Sequence, residues 1–212
     1  STYSVAPSTV IDSDGIIGLF TTNDSQLFAV GGTSLDRTIY KVSGGAAINL
    51  SSVPNTSLLG ASRPTFTETE VFLVLAGGAN IQKVTLDTNV SSRLAGSPPF
   101  ASHVTANSSR LLANDVTIDR TKVRFSGISQ GTVDTSGHET WDDTGITEDG
   151  GFFTAEARPD NVVAIHENTN EIFVWGTDNV QVFVPDATNI FAPAATKEYG
   201  CLAPYSIIKK DQ

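Results

Sequence analysis

The sequence predicts an all-β fold, a β-propeller of which this chain carries about four blade units and is therefore incomplete. Three observations predict it. β-Branched and aromatic residues fall in short runs of period two, cut by Gly, Asn, Asp, Ser and Pro, and no window carries an amphipathic helix. Glycine pairs at Gly31-Gly32, Gly44-Gly45, Gly77-Gly78 and Gly150-Gly151 supply the positive φ of tight turns. A unit of strand, polar turn, apolar strand, Gly-containing turn and strand recurs, with its central apolar position at Phe28, Phe72, Leu112 and Phe173.

In chain order the expected strands are Ile16–Thr21, Leu27–Val30, Thr38–Val42, Val71–Ala76, Ile81–Leu86, Arg110–Ala113, Lys122–Ser126, Val162–His166, Glu171–Trp175 and Val180–Val184. The four units start near Gly18, Thr65, Val104 and Val163, and a fifth begins at Cys201. The repeat positions are 44, 40 and 61 residues apart; the long last interval holds an insertion, Gly127–Gly151. Repeats of ~40–50 residues with three or four strands each are the mark of a propeller, whose blades bury their faces only against neighbours. A β-sandwich is the rival, but there strands recur rather than units. Phe28, Phe72, Phe173 and Phe183 are accordingly expected between blades, and Gly127–Gly151 as a projecting loop rather than a fifth regular blade.

Composition excludes several classes. The one cysteine, Cys201, allows no intrachain disulfide framework and no all-cysteine zinc cluster. The longest apolar run, Val71–Ala76, is far short of the ~20 residues of a membrane-spanning helix, so no membrane insertion is expected. A net charge of −10, from 13 basic and 23 acidic residues, opposes generic adhesion to nucleic-acid phosphates. A hydrophobic content of 39%, with 11 Phe, is enough to build a core. The chain has no Met, begins at Ser1, and stops at Gln212 soon after the apolar Ile207-Ile208, which reads as a piece of a longer protein.

Motifs for chemistry are few. Gly127-Ile-Ser-Gln-Gly131 matches the G-x-S-x-G nucleophile elbow, with Asp134 and His138 downstream. That motif works only where a strand turns into a helix, and Thr132–His138 is no helix, so a hydrolase using Ser129 is the lesser reading and no catalytic residue is assigned. His103, His138 and His166 have no ligand-pair spacing, and Asp12, Asp14, Glu139, Asp142, Asp143, Glu148 and Asp149 do not fit a calcium loop. No metal or cofactor is expected. Cys201 reads as a small buried residue, and Trp141 as the anchor of the acidic insertion or its contact with a partner.

The last fifty residues are the most distinctive. Asp160–Phe183, with Glu171-Ile-Phe-Val-Trp175 inside it, leads to Lys197-Glu-Tyr-Gly-Cys-Leu-Ala-Pro-Tyr-Ser-Ile-Ile208. Together with Phe125-Ser126, Trp141 and Phe152–Asp160, this resembles the tail hub, or nozzle, proteins of short-tailed bacteriophages, also called packaged-DNA stabilisation proteins. The resemblance covers about residues 122–208; over residues 1–121 only the blade pattern persists. Its motif residues are Gly200, Cys201, Ala203, Pro204, Tyr205 and Ser206, which open the next blade. The resemblance implies a longer, non-catalytic virion protein of the tail. It implies a hexameric ring below the portal and adaptor, through which duplex DNA passes without specific binding. An acidic conduit would repel phosphates, so the net charge of −10 fits that role. The alternative function is a propeller that binds carbohydrate, as an adhesin module does.

Overall fold

The computed structural model describes residues 14–33, 37–50, 60, 62–130, 136–144, 149–155 and 160–207. They form sixteen strands in four antiparallel sheets, each a four-stranded meander in chain order. Sheet 1 holds β1 (Ile16–Thr21), β2 (Leu27–Gly32), β3 (Arg37–Ser43) and β4 (Ala46–Asn49). Sheet 2 holds β5 (Thr65–Glu68), β6 (Phe72–Ala76), β7 (Gln82–Thr85) and β8 (Val90–Arg93). Sheet 3 holds β9 (Val104–Asn107), β10 (Arg110–Asn114), β11 (Lys122–Phe125) and β12 (Gly151–Thr154). Sheet 4 holds β13 (Ala164–Asn168), β14 (Glu171–Trp175), β15 (Val180–Asp186) and β16 (Ile190–Lys197). Single 3₁₀ turns lie at Ser136–Glu139 and Pro204–Ser206.

The second strand of each sheet is apolar on both faces, and in sheets 2 and 3 a neighbouring sheet covers each of them; the alternation of side chains explains how. In β2, Phe28 and Val30 point forward onto Leu73, Leu75 and Val84 of sheet 2. In β6 the intervening Phe72, Val74 and Ala76 point forward onto Val104, Leu111 and Ala113 of sheet 3. Leu112, Val123 and Phe125 of sheet 3 then meet Ile165, Ile172, Val174 and Phe183 of sheet 4. Three clusters thus join sheets 1 to 2, 2 to 3 and 3 to 4. The first strands lie side by side. Gly18 of β1 runs so close to sheet 2 that a Cβ there would stand 2.6 Å from Pro64 Cγ. Thr65 Oγ1 donates to the Ser102 carbonyl at 3.0 Å, and Asn107 Nδ2 to the Thr169 carbonyl at 3.1 Å. This is consistent with propeller blades set around an axis.

Each sheet turns three times, alternating between two ends. The β1–β2, β5–β6, β9–β10 and β13–β14 turns share the lower end; the β2–β3, β6–β7, β10–β11 and β14–β15 turns share the upper end. At the lower end Gly44 and Gly45, with φ of 60° and 81°, form the two-residue hairpin that joins β3 to β4.

Three expectations need correction. Phe28, Phe72 and Phe183 are buried between sheets, but Phe173 is only half-buried. It has the parity opposite to Ile172 and Val174, so it points forward from the last sheet, where no described residue of a further sheet covers it. The described part of the insertion forms no blade, but it does not project either. Trp141 is buried between sheets 2 and 3, and its indole N–H donates to the His138 carbonyl at 3.1 Å. Glu139 pairs with Lys83 of β7 at 2.9 Å. Gly96 is pressed against the insertion, where an added Cβ would stand 1.7 Å from the Glu139 carbonyl oxygen. Cys201 is half-buried rather than buried, with a free thiol.

Candidate functional site

The lower ends of sheets 1, 2 and 3 enclose a cavity of about 670 Å³. Its floor comes from equivalent turns of successive repeats: Asn23 and Asp24 from β1–β2, Glu68 to Val71 from β5–β6, and Ser109 and Arg110 from β9–β10. Leu86 and Asp87 extend it behind β7, and Ser129 and His138 close it from the insertion. Thus Asp24, Glu68, Glu70 and Asp87 face the same space from two sheets. Glu68 is tethered by the Asn23 N–H, which donates to Oε2 at 2.8 Å. Asp24 accepts hydrogen bonds from the Thr22 hydroxyl and the Gln26 side chain, which hold its pKa below the ordinary carboxylate value.

The opposite wall is cationic and buried. Arg110 donates from Nη1 to the Ser126 carbonyl at 2.6 Å, and its guanidinium lies 5.4 Å from the centre of the Phe125 ring. His138 packs near the Phe72 ring, 6.4 Å between centres, and burial lowers its pKa. Ser129 and His138 line one cavity, but among the described residues no carboxylate holds the His138 ring. Among the described residues no α-helix follows Ser129, only the 3₁₀ turn Ser136–Glu139, and the Ser129 N–H donates to the Ser109 carbonyl at 2.9 Å. The Nδ1 of His138, which a triad would hold with a carboxylate, is buried with no hydrogen-bond partner among the described residues. Asp134 lies outside the described residues. Among those residues no cluster of His, Cys, Asp or Glu could hold a metal ion; Asp12 and Glu148 lie outside them.

The motif residues Gly200, Cys201, Ala203, Pro204, Tyr205 and Ser206 lie at the upper end. Gly200 crosses the β14–β15 turn so closely that a Cβ would stand 2.2 Å from the Thr177 carbonyl. The Cys201 N–H then donates to the Gly176 carbonyl at 2.9 Å. Ala101 stands in the same relation to Ala79 of sheet 2, and Val162 to Arg120 of sheet 3, each just ahead of the first strand of the next sheet. After Cys201 the chain instead makes the short turn Pro204–Ser206, where the Ser206 hydroxyl donates to the Ala203 carbonyl at 2.7 Å. Tyr205 stacks on His103, ring centres 5.0 Å apart. His103 is buried, its Nε2 makes no hydrogen bond of ordinary geometry, and burial lowers its pKa to about 4.

Sequence reasoning found the upper segment and missed the lower acids. Their signal was available: Asp24 and Glu70 occupy the same polar turn in successive repeats, so the repeat that stacks the sheets also brings these carboxylates together.

No protein-family model and no curated protein matches the chain. Solved structures do. A protein of unknown function from Desulfotomaculum acetoxidans DSM 771 is similar over 89% of this chain and 58% of its own, with 13% identity and a TM-score of 0.56. A structure of U3-55K is similar over 85% of this chain and 53% of its own, with 12% identity and a TM-score of 0.50. A quinonprotein alcohol dehydrogenase-like protein from Bacteroides thetaiotaomicron is similar over 84% of this chain and 40% of its own, with 12% identity and a TM-score of 0.47. The chain therefore spans less than two thirds of each of these structures, and at such identities the likeness concerns the fold alone.

Proposed function

We propose that the chain is a non-catalytic structural module, part of a β-propeller in a tail nozzle of the short-tailed phage kind. In this reading the assembled ring, hexameric in that family, sits below the portal and adaptor. It helps retain packaged DNA and passes it on ejection. The observation that carries the proposal is the placement of Gly200–Ser206. This segment, which resembles the family's blade-opening motif, crosses the turn of sheet 4 where Ala101 and Val162 cross theirs. Two further features support it. His138, which shares a cavity with Ser129, has no carboxylate on its buried Nδ1 among the described residues. The lower-end turns concentrate Asp24, Glu68, Glu70 and Asp87, a surface that repels phosphate.

Electron microscopy of the full-length protein tests the reading. A six-fold ring with an open lumen, and no retention of duplex DNA at ~0.15 M salt, is expected. A monomer, or tight DNA binding, contradicts it. The cavity favours one second reading, a carbohydrate-binding module, because carboxylates and Asn23 can accept and donate to sugar hydroxyls. Saturable glycan binding that is lost in Glu70→Ala would favour that reading.

A further inference from the structure

We propose that residues 202–207 form a proton-released strap: they dock on the neutral His103 ring at the upper end, and protonation of that ring undocks them. Three segments cross a turn at this end. After Ala101 and Val162 the chain runs straight into the first strand of the next sheet, at Val104 and Ala164. After Cys201 it turns at Pro204–Ser206 and stays on the surface. Leu202 is 89% exposed and Tyr205 37%, and no residue of the turn is buried. What holds the turn is His103. The Tyr205 ring stacks on it, and the Pro204 carbonyl lies close enough to favour its charged form. Arg37, the first residue of β3, lies within electrostatic reach of Tyr205. The strap therefore leads from sheet 4 to the entry of sheet 3, and it rests on one side chain.

The imidazole is built to be neutral under the strap. Asn114 Nδ2 donates to Ser102 Oγ at 3.0 Å, which leaves the Ser102 hydroxyl hydrogen for His103 Nδ1, also at 3.0 Å. This network assigns the lone pair to Nδ1 and the hydrogen to Nε2, which is shut from water. A proton taken up at Nδ1 displaces the Ser102 hydrogen and puts a full charge in a buried place. Among the described residues no carboxylate acts on the titration of His103. Asp115, next to Asn114, commits Oδ1 to the Thr117 and Ile118 N–H groups, and the nearest cation, Arg37, adds a like charge. The Pro204 carbonyl and the Tyr205 ring offset part of the cost, but burial is the larger effect and lowers the pKa to about 4. Undocking returns the ring to water and toward 6.5, an interval that corresponds to weakening of the docked state by up to about 300-fold on protonation. The docked state uses only described residues, so it holds whatever follows Ile207 in the chain, and it does not rest on the nozzle reading.

NMR titration of the three histidines in the whole chain, from about pH 5 to 8, tests it. In the wild-type chain His103 should stay neutral across that range. Tyr205→Ala should raise its proton affinity at least ~30-fold, so that it titrates within the range; by reciprocity, this is the factor by which the proton releases the strap. Tyr205→Phe keeps the stacked ring and should leave His103 as it is in the wild type. His138, also buried, is the internal control and should not move. An unchanged His103 in Tyr205→Ala overturns the proposal, because the sheets and not the strap would then keep the ring neutral. A parallel rise at His138 overturns it too, since the variant would have loosened the whole fold. So does a wild-type His103 that titrates near 6.5, because the strap would then not be docked.

Discussion

Phe72 and Phe173 occupy the same place in successive repeats, yet their truncation should cost very different amounts. A buried phenylalanine removes roughly 200 Å² from water, and at about 25 cal/mol per Å² this is worth about 5 kcal/mol. Phe72 is 4% exposed between sheets 2 and 3, with Lys83 Nζ over its ring at 4.3 Å. Phe72→Ala should therefore lose about 3–5 kcal/mol, the usual range for such a cavity. Phe173 is half-buried, stacked on Trp175 and open on the forward side. Half the area gives about 2.5 kcal/mol as an upper figure, and relaxation of Trp175 into the gap reduces it to about 1–2. Urea unfolding of the dilute, monomeric chain measures both, from the midpoint and the slope. Equal losses at the two positions would refute the reasoning, since they would mean that sheet 4 is covered on both faces.

Other expectations follow from single contacts. His103 is neutral in the folded chain, with its pKa lowered to about 4, while the unfolded side chain takes up its proton near pH 6.5. Its contribution is thus complete above ~6.5 and is lost as pH falls toward ~4, a few kcal/mol in all; His103→Gln should flatten thermal-melt stability over that window. At Gly137 an added Cβ would stand 1.8 Å from the Ile128 carbonyl oxygen, so Gly137→Ala should cost about 1–3 kcal/mol and shift the emission of buried Trp141 to the red. Asp160 accepts from the Thr177 hydroxyl at 2.6 Å, the Asp178 N–H at 2.8 Å and Asn179 Nδ2 at 3.1 Å. Partial burial pushes its pKa up, but these bonds outweigh that and hold it below the ordinary value. Asp160→Ala should lower stability by about 1–3 kcal/mol, read by chemical denaturation, and speed amide exchange at Asp178.

What could be read in advance followed burial. The second strand of each sheet carries apolar residues on both faces, so β2, β6, β10 and β14 stand out in the sequence. The fourth strands do not. β4 and β8 present mostly exposed side chains, such as Ile48 and Val90, and lack the alternation that betrays a half-buried strand. Hence the unit reads as three strands where the fold has four. The insertion was misjudged for a different reason. Its acids suggest a solvated loop, but Trp141 and the Lys83–Glu139 pair pull it onto sheets 2 and 3. Both contacts depend on residues distant in the chain, which no local pattern reports. The cavity is intermediate: each carboxylate is an ordinary turn residue alone, and only stacking of the repeats brings them into one space.

Everything above depends on four sheets stacked face to face in chain order, each covering the forward face of the one before. Cryo-electron microscopy of the chain tests this most directly. The account predicts wedge-shaped sheets radiating from a central axis, with their first strands innermost and Trp141 between the second and third. A two-layer sandwich, in which sheet 1 packs against sheet 3 or sheet 2 against sheet 4, would contradict it.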